Sequence, residues 1–334
     1  MVGIGLIGTG YWGKNHARNW KEMLNEGIID KLVFCDIDEM RVKELAGGDV
    51  PYTTDYKSLL NDKDIHAVDI VTPSNTHFPL GKDAILADKD VFVEKPLTMC
   101  TKEAQDLVKL AEDKKKILMP GHLFRYHPGV TAVRNMIKND ELGRIYYLYT
   151  NRMAYSTPRR DMGVMYALGV HELDLYCYLL GVDYPNQAKI TQGTFLQPNI
   201  EEFASILMEF DNNVSGYAIE SWISPFDKKR RNLTIVGSKK SVKIDYMKHN
   251  EIYVFDGAIE SREEDNGMIP VVSEGEVKTV SIPEKEPLKE ELCDFVRSIK
   301  SRKQPVSDMY SGMRAVEMVE RCLKDGFFRP EENL

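Results

Sequence analysis

The stretch Val2-Gly3-Ile4-Gly5-Leu6-Ile7-Gly8-Thr9-Gly10-Tyr11-Trp12-Gly13, continued by Lys14-Asn15-His16-Ala17, decides the fold. A short apolar run enters a Gly-x-Gly-x-x-Gly turn, and Ala17, Trp20 and Leu24 then recur at the spacing of one helix face. Gly8 permits a tight turn. Gly10 lets a ligand approach the backbone, and Gly13 lets helix and strand pack closely. The helix N-terminus behind them favours a phosphate. Such a turn is a weak signal by itself, but the next apolar run, 32–35, ends at Asp36, 23 positions after Gly13. A carboxylate there accepts hydrogen bonds from an adenosine ribose diol, so the segment reads as a dinucleotide fingerprint.

Working outward, buried strands are predicted at 67–71, 91–93 and 117–119. A helical stretch covers 79–87. Another is capped by Thr101 and carries Ala104, Leu107, Val108 and Ala111 on one face. Strands alternating with helices imply an α/β domain with a parallel, doubly wound sheet, here 1–121. Ligands of such sheets bind beyond the carboxyl ends of the strands. Gly10, Asp36, Thr72-Pro73 and Glu94-Lys95-Pro96 all fall at those ends.

Residues 122–334 read differently. Helical patterns cover 128–138 and 162–180, and strand-like stretches cover 143–155, 188–196, 202–210, 214–223, 231–237, 240–246 and 275–282. Asp211-Asn212-Asn213 reads as a hairpin turn, and the polar segment 257–267 as a mobile loop. Two helices finish the chain, lined by Leu288, Leu292, Phe295, Val296 and Ile299 and by Val316, Val319 and Leu323. This is an α+β domain on an open-faced, mostly antiparallel sheet. Such a sheet with one uncovered face predicts a homodimer or homotetramer packed through 188–246.

Composition narrows the function. The 334 residues suit about two domains. Charged residues make up 29% and hydrophobic ones 43%, which argues against wholesale disorder. The net charge of -8 and the lack of a long basic block argue against a nucleic-acid partner, so an anionic ligand must be met by local positive groups. No apolar run reaches the ~18 residues of a membrane span, and the first residues lack the pattern of a signal peptide. Cys35, Cys100, Cys177, Cys293 and Cys322 are scattered and odd in number, which points to reduced thiols and a cytoplasmic location. Neither CxxC nor HExxH occurs, and no metal is expected.

Asp36 bears on cofactor choice. Its carboxylate, with Asp38 two positions on, repels a 2′-phosphate and favours NAD over NADP. Arg41 is the one nearby residue that argues otherwise; it also reads as a solvated helix arginine.

Two residues carry candidate chemistry. Lys95, at a strand mouth and fixed by the following proline, reads either as a solvated side chain or as a donor to a substrate oxygen whose negative charge grows in the reaction. His171 falls on a stripe with Val164, Leu168 and Leu175. It reads either as a core histidine or as a base, with Asp174 placed to orient it and a reference pKa of ~6.5 suited to taking an alcohol proton. Arg152, Arg159 and Arg160 read either as a basic loop or as partners of a pyrophosphate.

These residues together resemble the Gfo/Idh/MocA oxidoreductase family. The likeness is carried by the glycine turn with Asn15-His16-Ala17, Thr72-Pro73, Glu94-Lys95-Pro96, Phe124-Arg125-Tyr126-His127-Pro128, His171-Glu172-Leu173-Asp174, Ser221-Trp222, Gly237 and Pro305-Val306-Ser307-Asp308. It spans nearly the whole chain. The resemblance implies a Rossmann domain, a sheet that also makes subunit contacts, and hydride transfer between NAD(P) and a sugar or cyclitol carbon. It implies cofactor contacts from Gly8, Thr9, Gly10, Tyr11, Trp12, Gly13, Asp36, Thr72, Pro73, Asn75, His77, Glu94 and Lys95. It implies substrate contacts from Lys95, Arg125, Tyr126, Arg152, Arg159, Arg160 and His171, with Lys95 and His171 as the catalytic pair. Many relatives place an aspartate four residues before that histidine; Ala167 stands here. Pro158-Arg159-Arg160-Asp161-Met162-Gly163-Val164 resembles the branch that oxidises nucleotide-linked sugars at C3, of the UDP-N-acetylglucosamine type. A free-sugar or inositol dehydrogenase and a non-catalytic NAD-binding regulator are the competing expectations.

Overall fold

The computed structural model describes residues 2–226, 229–264 and 267–330. The chain divides into two compact units, Met1–Leu123 with Pro287–Glu317, and Phe124–Glu286 with Met318–Leu334. The segment 287–317 thus belongs to the first unit although it lies far along the chain.

The first unit alternates strictly. Its elements are β1 (Gly3–Ile7), α1 (Gly13–Asn25), β2 (Lys31–Cys35), α2 (Glu39–Ala46), β3 (Tyr52–Thr53), α3 (Tyr56–Asn61), β4 (Ala67–Ile70), α4 (His77–Leu86), β5 (Asp90–Val93), α5 (Thr101–Lys114) and β6 (Leu118–Pro120). The six strands are parallel in the order β3-β2-β1-β4-β5-β6, the doubly wound arrangement. Both faces are covered, so β1, β4 and β5 are buried at every position. Ala84, Ile85, Leu107, Val108 and Ala111 of α4 and α5 join a core that includes Ile70, Val91 and Val316. Thr101 is the first residue of α5 rather than its cap; Cys100 holds the cap position with no side-chain bond.

In the second unit come α6 (Pro128–Lys138), β7 (Ile145–Ala154), α7 (Val170–Leu180), β8 (Gln187–Gly193), β9 (Phe203–Phe210), β10 (Val214–Ser221), β11 (Lys229–Gly237), β12 (Ser241–Asp245), β13 (Glu251–Phe255), β14 (Ile259–Glu264), β15 (Gly267–Val272) and β16 (Val277–Ser281). The helices α8 (Pro287–Ser301) and α9 (Met309–Asp325) and the short β17 (Phe327–Phe328) end the fold. Nine strands form one sheet in the order β16-β13-β12-β11-β7-β10-β9-β8-β17, antiparallel except for the β10–β7 pair. The expected strands are present, with ends shifted by up to three residues. Asn212 and Asn213 adopt positive φ, as the expected β9–β10 turn requires.

Two expectations are corrected. The loop expected at 257–267 contains β14, which pairs with β15 as a separate ribbon; Asp265 and Asn266 lie outside the described residues. The helix expected over 162–180 begins with a π-helical turn, Met165–Gly169, before α7. That turn breaks the assumed spacing, and α7 is buried on nearly every side rather than along one stripe.

Candidate functional site

In the first unit, the β1–α1 turn forms the expected cradle. Gly8 has φ +101°, and a Cβ there would lie 2.5 Å from the Val71 carbonyl oxygen. A Cβ on Gly13 would lie 2.2 Å from the Gly8 oxygen, so a side chain is excluded. Gly10 faces open space, with nothing within 4 Å of a Cβ position. A groove of about 480 Å³ opens here, lined by Gly10, Tyr11, Lys14 and Arg41. Tyr11 of that lining and Ile37, next to Asp36 in sequence, are more than nine-tenths exposed, a state for apolar groups that a flat ring would relieve. The Thr9 side chain turns inward. Its backbone N–H and its hydroxyl donate to Asp36 Oδ2 at 2.7 and 2.8 Å, while Asp38 N–H donates to Oδ1 at 3.0 Å. Burial pushes the Asp36 pKa up, but these bonds and Arg41 outweigh it and hold the carboxyl below its usual range. Arg41 is no plain solvated arginine. It reaches back to 3.6 Å from Asp36 and 3.1 Å from Asp38. The open glycine backbone, the ionised Asp36 and the uncovered apolar rim fit a dinucleotide.

Glu94 and Lys95 follow β5, and the Lys95–Pro96 peptide is cis. The Glu94 carboxylate is buried. Its Oε1 accepts the Trp12 indole N–H at 2.6 Å and lies 3.0 Å from His16 Nε2; its Oε2 accepts the Lys95 N–H at 3.1 Å. Glu94 and Trp12, expected as cofactor contacts, are thus tied to each other. His77, also expected as a cofactor contact, is tied to backbone carbonyls. It is buried, with Nδ1 2.7 Å from the Pro96 carbonyl and Nε2 3.0 Å from that of Thr72, so it joins two strand ends rather than facing a ligand. Pro73 and Asn75 are exposed, and Thr72 meets Thr76 at 2.7 Å.

The second unit holds the other candidates. His171 stands in the first turn of α7, buried, with its ring edge-on to Phe124 at 4.9 Å. Asp174 receives Arg125 in a two-pronged pair at 2.9 and 2.6 Å, and the Arg125 guanidinium lies over the Tyr178 ring. Tyr126 is also buried. Arg152, expected among the pyrophosphate partners, lies inside the second unit. It is 2% exposed, donates to Glu172, lies 3.9 Å from Glu220 and covers the Phe124 ring at 4.2 Å. Burial pulls its pKa down, but Glu172 and Glu220 reverse this, so it is a fixed internal cation. Arg159 and Arg160 are exposed, and Arg159 pairs with Asp161 at 2.9 and 2.6 Å. The Arg159 carbonyl accepts Gln197 Nε2 at 2.8 Å, which pins their loop.

Sequence reading missed His16, Asp69 and Glu291. Asp69 was the available signal, a carboxylate inside the apolar strand Ala67–Ile70, where a charge must find a partner.

Comparison with known proteins agrees with this architecture. The family described as oxidoreductase family, NAD-binding Rossmann fold (Gfo/Idh/MocA) matches residues 2–122, and its C-terminal alpha/beta domain matches 134–325. The chain is 25% identical over 317 residues to UDP-N-acetylglucosamine 3-dehydrogenase of Acidithiobacillus ferrooxidans, covering 93% of each chain. It is 26% identical over 269 residues to scyllo-inositol 2-dehydrogenase (NAD(+)) of Bacillus subtilis, covering 76% of this chain and 77% of that one. In fold it resembles levoglucosan dehydrogenase in complex with NADH and levoglucosan, with a TM-score of 0.84, 18% identity, and coverage of 99% and 100%.

Proposed function

We propose that this chain, which belongs to the Gfo/Idh/MocA family of oxidoreductases with an NAD-binding Rossmann fold, oxidises a secondary hydroxyl of a nucleotide-linked sugar, of the UDP-N-acetylglucosamine 3-dehydrogenase type. The observation that carries the reading is Lys95 at the carboxyl end of β5, on the sheet edge that holds the β1–α1 cradle and Asp36. When bound, NAD supplies the hydride acceptor. Lys95 donates to the substrate oxygen and steadies its growing negative charge. His171 takes the hydroxyl proton, and its ring plane is set by Phe124. The glycine backbone and the α1 N-terminus hold the pyrophosphate, and Asp36 the ribose diol.

The nucleotide part of the reading rests on the pinned loop that presents Arg159 and Arg160, and on the likeness to the Acidithiobacillus enzyme. Two cations on a chain of net charge -8 favour an anionic substrate tail. The test is NAD reduction with UDP-N-acetylglucosamine, free N-acetylglucosamine and inositols. Turnover of the nucleotide sugar alone is expected. Preference for a free sugar or inositol moves the chain to the competing dehydrogenase class, and no turnover with any of them favours a regulator.

We also propose self-association through the open sheet face, where exposed Tyr149, Tyr217 and Leu207 stand side by side on β7, β10 and β9. Light scattering is expected to report a homodimer or homotetramer at micromolar concentration, in a solution that is not membrane-associated.

A further inference from the structure

Beneath the cradle of the first unit lies a buried ionic cluster that the reaction scheme does not use. The His16 ring on α1 is fully buried. Its Nδ1 is 2.8 Å from Asp69 Oδ2 on β4, and its Nε2 is 3.0 Å from Glu94 Oε1 after β5. Asp69 Oδ2 also accepts the Trp20 indole N–H at 2.6 Å. The Phe92 ring packs edge-on to the imidazole at 5.7 Å and closes it from water. An ionised carboxylate only accepts hydrogen bonds, so a ring between two of them carries a proton on each nitrogen.

We propose that His16 is a positioning residue of the oxidoreductase site: clamped as an imidazolium between Asp69 and Glu94, it fixes the one carboxylate that holds both the Trp12 indole of the dinucleotide turn and the backbone N–H of Lys95. The bond lengths follow one line, from Trp12 to Glu94 at 2.6 Å and from Lys95 N–H to the same carboxylate at 3.1 Å. Glu94 has little room to relax, since a Cβ on Gly121 would already stand 3.1 Å from its carboxyl carbon. Replacing the cation would leave two buried carboxylates facing one another, and Glu94 would have to turn or take up a proton. Either change moves both ends of the line. What concerns Lys95 rests on the function proposed above; what concerns Trp12 and the cradle does not.

The charges around the ring are Asp69 from β4, Glu94 with its neighbour Lys95 from the β5 end, and Glu291 from α8 with Asp294 beyond it. Burial pulls the His16 pKa down, but Asp69 and then Glu94 outweigh it and hold it at about 10. The sign follows. The stabilisation is complete below the ordinary value of ~6.5 and is lost as pH rises toward about 10, so the clamp stays shut through neutral pH.

The experiment uses the full chain with 15N-labelled histidine. Both His16 ring N–H groups are expected to persist at pH 8.5. A His16 that loses one proton with a midpoint near 6.5 overturns the proposal. NADH titration then compares wild type with His16→Gln and Glu94→Gln. Each folded variant is expected to bind NADH at least about 10-fold more weakly, as loss of a partner that orients a ligand-contacting group typically costs. In Glu94→Gln the His16 midpoint should also fall, because one carboxylate is gone. His16→Lys, which restores the charge, should recover part of the affinity. Wild-type NADH affinity in a folded His16→Gln protein sinks the idea. If His16→Gln does not fold, the native titration and Glu94→Gln decide. None of these readouts uses a substrate, so they stand apart from the choice of reaction.

Discussion

The two units solve one problem with different cations. Beside Lys95, the first unit buries the cation His16 between Asp69 and Glu94. Beside His171, the second unit buries the cation Arg152 near Glu172 and Glu220. In each, a carboxylate adjacent in sequence to the candidate catalytic residue belongs to the cluster: Glu94 precedes Lys95, and Glu172 follows His171. The difference lies in the cation. A guanidinium keeps its proton at any relevant pH, whereas an imidazolium keeps it through neutral pH only while its carboxylates stay ionised. The second cluster is therefore permanent, and the first depends on its neighbours. An ionic network thus lies next to each candidate residue in the chain, which ties its surroundings to charge balance.

The comparison breaks most severely at the two candidate catalytic residues. Lys95→Ala is expected to leave NADH binding nearly intact and to cut turnover by two orders of magnitude or more, the loss of about 3 kcal/mol that one such donor provides. His171→Ala should remove the pH dependence of oxidation near neutrality, since Ala167 offers no relay. Single-turnover NAD reduction across pH, with circular dichroism as a folding control, measures both. A folded His171→Ala protein with wild-type rates would return His171 to the core and leave Lys95 or Tyr166 as the base.

Next in size is the permanent cluster. Arg152→Ala strands Glu172 and Glu220 in the interior, at a cost of about 3–5 kcal/mol. Urea unfolding should show it as a lower midpoint with an unchanged slope. A loss below about 1 kcal/mol would mean that the pair contributes little beyond its own desolvation.

Smaller still is the effect at the cradle. NADH is expected to bind at least about 10-fold more tightly than NADPH, a difference of about 1.4 kcal/mol, because a 2′-phosphate meets the ionised Asp36. Arg41 softens that repulsion from 3.6 Å, so Arg41→Ala should widen the ratio. Equal or tighter NADPH binding in wild type would reverse the assignment of Arg41.

These contrasts also explain what was legible in the sequence. The first unit was readable because its parallel strands are continuous apolar runs punctuated at their carboxyl ends by glycine, proline or charge, and those punctuations are the candidate site. Lys95, Asp36 and the glycine turn stand at those strand ends, as the sequence places them. The clusters were not readable, because His16 meets partners 53 and 78 positions away. Arg152 looked like one of three loop cations until β7 carried it inside. The β14–β15 ribbon escaped because both its strands are largely exposed, which removes the alternation that marks a half-buried strand. The π-helical turn at Ala167 escaped because a single wide turn leaves no trace in apolar spacing.

The smallest effect sharpens the account of the titratable cluster. Glu291 on α8 is fully buried, and neither carboxyl oxygen has a hydrogen-bond partner. Burial first, then the nearby Glu94, pushes its pKa well above the usual carboxylate range, with His16 opposing. In the folded chain Glu291 thus holds its proton to higher pH than in the unfolded chain, where it ionises near 4.5. The folded state binds more protons above that pH, so the stability from this group is complete below 4.5 and falls as pH rises. Glu291→Gln carries no proton to lose. It should match wild type at pH 4.5 and gain on it steadily as pH rises toward 8, because the amide removes the cost of keeping an acid protonated. The His16 contribution falls in the same direction, between 6.5 and about 10, but it is present in both proteins and cancels in the difference. Thermal unfolding from pH 4.5 to 8 measures the gap. Superimposed curves would show that Glu291 ionises inside the fold, and the cluster would then carry a third negative charge that His16 alone does not balance.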